Sequence, residues 1–318
     1  VGNKMDAVFK GFSEAYGGFT LAPTKQEKAG ELLTEGPVEE IAIASDGSRI
    51  GYIDSDGIIH QHDLTNHWDL TSAWNHRTTN IGALINETPV SAYALTFSTD
   101  GNRMFVGVDT RIFQFDLGVT NDPTTAFYYG VFFDAANEIT ADVHGRFPAG
   151  SHTETPLVET VKFKPDGTRM YVGDFGGMRL VEYSLSVPYN VSTATPTGNV
   201  VDFYAINSYL TALEGIEFSP DGQKLITISG GVLFIFKFDT PWDLTTISQV
   251  QSTEFYNIDP IDGNQSIKFS ADGLKFYISN YSKIVNYNLA APYVLEVGGV
   301  VYDNVSFYVG GQETNPYG

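Results

Sequence analysis

The 318-residue sequence contains no cysteine. That excludes thiol catalysis, cysteine-ligated zinc and disulfides together, and leaves the redox compartment open. Basic residues are scarce: 18 Lys and Arg stand against 38 Asp and Glu, a formal charge of −20. A surface of that sign repels nucleic acid phosphates and anionic lipid, so nucleic acid is not an expected partner. No apolar run approaches about 18 residues, so no membrane insertion is expected. The start, Val1-Gly2-Asn3-Lys4, carries neither an initiator Met nor a signal-type apolar core, and the expectation is a soluble chain with a processed or incomplete start. Catalytic signatures are missing as well: there is no Gly-x-Ser-x-Gly elbow, no His-Glu-x-x-His, no phosphate-cradling Gly-x-x-x-x-Gly-Lys and no Rossmann fingerprint.

What the chain does have is glycine, 32 residues of it, and 22 Phe with 18 Tyr. That composition suits short strands and tight turns. The dipeptide Asp-Gly returns in matched surroundings at Asp46, Asp100, Asp166, Asp221 and Asp272. Before each Asp, Ile41, Leu95, Val161, Ile216 and Ile267 alternate with Ile43, Phe97, Phe163, Phe218 and Phe269, the period of a strand with one buried face. Three residues after each Asp stands a cation, namely Arg49, Arg103, Arg169, Lys224 and Lys275, and an apolar residue then opens a second strand. Two strands around Asp-Gly make a hairpin. A third strand ends at His62-Asp63-Leu64, Phe115-Asp116-Leu117, Tyr183-Ser184-Leu185, Phe238-Asp239-Thr240 and Tyr287-Asn288-Leu289, and a Pro or Trp turn and a fourth apolar stretch follow.

Four strands per unit of roughly 50 residues is the arithmetic of a propeller blade. A single blade leaves both faces bare, so the units must lean together and close into a ring. The expected fold is all-β, a five-bladed β-propeller of four-stranded antiparallel blades over residues 37–318, preceded by an extension or attachment segment over 1–36. A count of six blades is the alternative, with Val8 to Leu21 pairing with Val305 to Gly310.

The units Phe163-Lys-Pro-Asp-Gly-Thr-Arg-Met-Tyr-Val-Gly173 and Phe218-Ser-Pro-Asp-Gly222, with Phe238-Asp-Thr-Pro-Trp-Asp-Leu244 downstream, resemble propeller repeats of bacteriophage virion proteins and marine bacterial surface proteins. The likeness spans about residues 37 to 310. The first and second units depart from it, having no Pro before Asp46 or Asp100, and Gly118-Val119-Thr120 where the Pro-Trp element should begin. The resemblance implies a virion, extracellular or cell-surface location, with other virion or surface-assembly proteins as partners.

Seven residues before each Asp stand Glu39, Tyr93, Glu159, Glu214 and Gln265, which a closed ring places around one mouth of its channel. Glu39, Glu159 and Glu214 are candidate oxygen ligands for a hard cation such as Ca²⁺. The plainer reading is that strand ends in an acidic protein are wet and polar. His60-Gln61-His62 has the spacing that sends both rings to one strand face, as in a metal pair, but His60 takes the slot of Phe113, Val181, Phe236 and Val285 and His62 that of Phe115, Tyr183, Phe238 and Tyr287, which a packing role explains. Asp54-Ser55-Asp56-Gly57 starts like a calcium loop yet has its Gly at the fourth position, so a plain hairpin turn fits it. The cation after each Asp-Gly is expected to pair with that Asp.

The spacing between the second and third Asp-Gly is longest, which places an insertion within Asp134 to Pro156. Loops on a rigid ring commonly carry recognition. Asn137, Glu138, Asp142, His144, Arg146 and His152 are candidate contacts to sugar hydroxyls, or a solvated excursion. The function expected is non-enzymatic: a structural or binding module of a phage tail or surface appendage that mediates assembly or attachment to a host-surface glycan, with no cofactor. A bacterial surface adhesion module is one alternative. A hydrolase resembling the metal-dependent propeller lactonases, with Glu39, Glu159 and Glu214 holding a water-activating cation, is another.

Overall fold

A computed structural model describes residues 28–139, 157–174, 177–207, 210, 213–229, 232–254, 266–280 and 282–289. The chain begins with β1 (Lys28–Leu33) and then builds a first sheet from β2 (Glu40–Ile43), β3 (Arg49–Ile53), β4 (Ile58–Leu64) and β5 (Ala73–Asn80). A short helix, α1 (Ile81–Ile85), leads to a second sheet of β6 (Ala92–Phe97), β7 (Arg103–Val108), β8 (Arg111–Leu117) and a fourth strand in two pieces, β9 (Ala126–Phe127) and β10 (Phe132–Asp134). The third sheet is β11 (Val158–Phe163), β12 (Arg169–Asp174), β13 (Arg179–Leu185) and β14 (Ala194–Asp202). After α2 (Phe203–Ile206) comes the fourth, β15 (Gly215–Phe218), β16 (Lys224–Ser229), β17 (Val232–Phe238) and β18 (Ile247–Glu254). The fifth contains β19 (Ile267–Phe269), β20 (Lys275–Asn280) and β21 (Lys283–Asn288), and its order is β1-β21-β20-β19.

The described strands therefore form the expected five-bladed propeller of four-stranded antiparallel sheets. The innermost strands pack in cyclic sequence, β2 on β6, β6 on β11, β11 on β15, β15 on β19, and β19 back on β2. Closure is made by β1, which pairs antiparallel with β21 from Lys28↔Tyr287 to Leu33↔Lys283. Residues 28–33, expected within an N-terminal extension, are thus the outer strand of the last blade, so the ring begins before residue 37. Among the described residues the fifth unit supplies three strands, and β1 pairs with the edge of the third, leaving no bare edge there. The segments of the six-blade alternative lie outside the described residues.

Each Asp-Gly unit folds for the same local reasons. Gly47 N–H closes a turn onto the Ala44 carbonyl (2.8 Å), and the other four units repeat this bond. The glycine then takes a positive φ, 69° to 74° in the five copies, where L side chains are strained. The Asp carboxylate accepts the backbone N–H two residues on, from Ser48 (2.9 Å) in the first unit and Thr168 (2.9 Å) in the third. The downstream cation reaches elsewhere: Arg49 pairs with Asp63 (3.0 Å), Arg103 with Asp116 (3.5 Å) and Arg169 with Glu182 (3.0 Å), all on the third strand. In these three units the cation therefore does not pair with the turn aspartate as expected. The turn aspartate accepts from its own backbone, whereas strand pairing sets Arg49 opposite Asp63 and Arg103 opposite Asp116, and Arg169, opposite Ser184, reaches Glu182 along the same strand.

The Pro or Trp element is a clamp on that turn. Trp68, Asn121, Tyr189 and Trp242 all adopt positive φ and lie over Gly47, Gly101, Gly167 and Gly222, and each donates its N–H to that glycine's carbonyl at 2.8–3.0 Å. The next residue, Asp69, Asp122, Asn190 or Asp243, caps a 3-10 turn. The second blade has the element after all, written Asn121-Asp122-Pro123 without its aromatic. Clamps also join blades: the Tyr171 hydroxyl donates to the Trp242 carbonyl (2.9 Å), and Tyr277 of the fifth blade to that of Trp68 in the first (2.7 Å). Between blades lie apolar wedges, such as Ile53 and Ile59 against Leu95, Met104, Val106, Phe113 and Phe115. The abundant aromatics fill these wedges, with Phe115, Tyr183, Phe236 and Tyr287 buried in equivalent slots.

Candidate binding site at the channel mouth

Along each innermost strand alternate residues leave the core and face the axis. Ile41, Leu95, Val161, Ile216 and Ile267 are buried between blades, while their neighbours Glu40, Lys162, Glu217 and Lys268 meet around the axis. Lys162 Nζ lies 2.5 Å from Glu40 and 3.6 Å from Glu217, and Lys268 Nζ reaches Glu217 at 2.9 Å. The Thr160 hydroxyl adds a bond to Glu40 (3.3 Å). Burial works against the Lys162 ammonium, but Glu40 and Glu217 outweigh it and hold its proton more tightly than usual. This belt balances two acids with two bases and ties blades one, three, four and five together. On the Asp-Gly side of it lie two cavities, about 250 and 180 Å³, which share Thr96, Phe97, Thr99, Glu217, Phe218 and Lys268 as lining.

The other end of the axis gathers acidic side chains. Glu39 precedes β2, Tyr93 and Glu159 lie in β6 and β11, and Glu214 precedes β15, so blades one to four each contribute a polar side chain. Burial, with Asp54 adding repulsion, pushes the Glu39 carboxyl up to about 7. Burial pushes Glu159 up to about 8, and Glu39, Glu40, Asp174 and Glu214 add to it by like-charge repulsion. The Tyr93 hydroxyl is raised by burial and then by Glu159 and Glu39. The expected convergence on one mouth is therefore present for Glu39, Tyr93, Glu159 and Glu214; Gln265 lies outside the described residues. The three glutamates hang from different walls of the channel. Among the described residues they do not bring three ligand atoms within 4.8 Å of one another, whereas Glu35, His60 and His76 on the first blade do.

Each link between blades joins the end of an outer strand to the start of the next inner strand. Two of them open with α1 and α2, whose first turns are capped by Asn80 (2.8 Å from Ala83 N) and Asp202 (3.0 Å from Ala205 N). The link from β10 to β11 is the longest, as the repeat spacing required. Asn137 is exposed and Glu138 half-buried in a turn held by Glu138 N–H to the Ala135 carbonyl (3.0 Å). Asp142, His144, Arg146 and His152 lie outside the described residues.

Carboxyls that keep a proton near neutral pH both donate and accept hydrogen bonds, which suits a ligand rich in hydroxyls. Sequence reasoning found the ring of glutamates but not the buried charge belt, because Glu40, Lys162, Glu217 and Lys268 occupy two different repeat positions and differ in sign. Nor did it find the grouping of Glu35 and His76 with His60, which depends on the closing strand and on the fourth strand of the first blade.

No protein-family model matches the chain, and no curated protein sequence is similar to it. Among solved structures, it is similar to a provisionally described 6-phosphogluconolactonase from Bacteroides uniformis ATCC 8492, at 15% identity over 90% of this chain and 72% of that one, with a TM-score of 0.47. A provisionally described 6-phosphogluconolactonase from Bacteroides fragilis NCTC 9343 is similar at 14% identity over 79% and 67%, TM-score 0.46. The β-propeller domain of Myceliophteria thermophila Cps50 (Swd1) is similar at 10% identity over 83% and 99%, TM-score 0.41. No residue role is carried over from any of them.

Proposed function

We propose that this propeller is a non-enzymatic binding module of a surface assembly, a phage tail or appendage, and that its acidic mouth receives a hydroxyl-rich ligand such as a host-surface glycan. The observation that carries the reading is the convergence of Glu39, Tyr93, Glu159 and Glu214 on one mouth, with two carboxyls displaced to about 7 and about 8. Partly protonated carboxyls and a phenol offer donors and acceptors in one concave place. The closed ring holds them rigidly, so little ordering entropy is lost on binding, and repeated copies on a particle add avidity. The repeat's likeness to phage and marine surface proteins supports the location proposed.

The test is a glycan array at pH 7 with the wild-type chain and Glu159→Gln/Glu214→Gln, together with a mass-spectrometric inventory of intact virions. Binding lost in the double variant, and presence on particles, is the expected outcome. A blank array with the chain missing from particles sinks the reading. Calcium-dependent lactone hydrolysis abolished by the same double variant would replace it with the hydrolase alternative.

A further inference from the structure

The first blade carries a second constellation at the seam where the ring closes. His60 in β4 is buried beside Asp54, its Nε2 lying 3.1 Å from Asp54 Oδ2, and it lies parallel to the Tyr52 ring at 4.7 Å. His76 comes from β5, where the pairing with β4 shifts register between Gln61 and Asp63 and Asn75 adopts a positive φ of 53°. Such a bulge re-aims a side chain, and here His76 Nε2 comes to 3.2 Å from His60 Nδ1 with the two rings parallel to within 1°. His62 also stacks on His76, at 4.7 Å. Glu35, on the segment joining β1 to β2, places Oε1 3.3 Å from His76 Nδ1.

The cluster gathers three groups that can each give a ligand atom to a cation. One nitrogen of His60 faces Asp54 and the other faces His76. The Glu35 carboxylate stands beside His76 Nδ1. The 3.2 Å between His60 Nδ1 and His76 Nε2 matches the edge of a zinc tetrahedron, about 3.3 Å for bonds of about 2.0–2.1 Å. The Glu35 side chain is 68% exposed, and one ligand atom from each of the three residues already lies within 4.8 Å of the others. Asp54 behind His60 is the carboxylate that fixes a metal-binding imidazole's tautomer.

We propose that Glu35, His60 and His76 form a binding site for a divalent transition cation of the zinc class, with Asp54 orienting His60 and a water in the remaining position. Glu35 belongs to the crossing from the outer strand of the fifth blade to the inner strand of the first, and its N–H is already held by the Tyr52 hydroxyl (3.0 Å). The bound ion is therefore a latch: it ties the closing segment to β4 and β5 and stabilises the closed ring over the open one.

Cobalt(II) titrated into the full chain reads the site directly. The expected result is one equivalent bound with visible ligand-field bands, displaced by zinc, and a thermal midpoint raised by zinc in the wild-type chain. Glu35→Gln and His76→Gln each weaken zinc binding by at least about tenfold and remove the zinc-dependent rise. Glu35 is largely exposed, so Glu35→Gln decides alone if the histidine variant does not fold. Absence of the bands together with an unshifted midpoint in millimolar zinc overturns the proposal, as does wild-type affinity in a folded Glu35→Gln or His76→Gln chain.

Discussion

At the residue scale the molecule is governed by positions where one atom more or one proton fewer has nowhere to go. Gly222 is one: a Cβ there falls inside the Trp242 ring, on a backbone at φ 70°. Gly222→Ala is expected to cost about 1–3 kcal/mol from overpacking, more with the strained φ, read as a lower urea midpoint at unchanged m. Glu159 is another. Between the ordinary value of 4.5 and about 8 the folded chain holds a proton that the unfolded chain releases. The folded state thus binds more protons in that window, and stability falls as pH rises through it, the whole loss being reached above about 8. Glu159→Gln, uncharged throughout, flattens the decline. Urea midpoints at pH 5, 7 and 9 for both chains check this, and equal slopes would refute it. The glutamate ring was legible because its members keep one offset from Asp-Gly. The partners of the turn cations were not, since Arg49 and Asp63 are set opposite each other by strand pairing rather than by nearness in sequence.

At the scale of the element, the strand that matters most is β1. Among the described residues it alone covers the outer edge of β21, and its pairing is the one ladder that joins chain-distant segments of a single blade. Deleting residues 28–33 should leave four complete blades and one open edge. The expected signature is amide exchange that accelerates first in β20 and β21, with loss of single-transition unfolding. Protection unchanged in those strands would show that the pairing contributes nothing. Periodicity revealed the first three strands of every unit, where apolar alternation is strict. It assigned residues 28–33 to an extension because Lys28-Ala-Gly-Glu-Leu-Leu33 precedes the first Asp-Gly unit and carries no repeat mark of its own. In the second blade, with Asn121 in the Trp position, the clamp was hidden for a similar reason: the backbone conformation is kept while the side chain that advertises it is replaced.

Over the whole molecule, the charge belt on the axis binds blades that share no sheet. Lys162→Met leaves Glu40 buried without its cation and is expected to cost about 3–5 kcal/mol, a loss measurable by urea titration. Replacing Glu40 and Lys162 together by apolar residues should recover most of it, since a buried pair is stabilising mainly against the loss of one partner. A double variant as unstable as the single one would contradict this. The five-fold architecture was legible because closure is a geometric requirement on exposed faces; the belt was not, because only closure brings Glu40 and Lys162 together. The pairing of Leu33 with Lys283 also fixes an order of events during synthesis. β1 leaves the ribosome well before β21 and cannot make this pairing until β21 has been translated, and joining them closes a chain loop whose entropy cost is on the order of 5 kcal/mol. A nascent chain stalled before residue 283 should therefore remain protease-sensitive at residues 28–33, and become resistant there only when the β20–β21 hairpin is released.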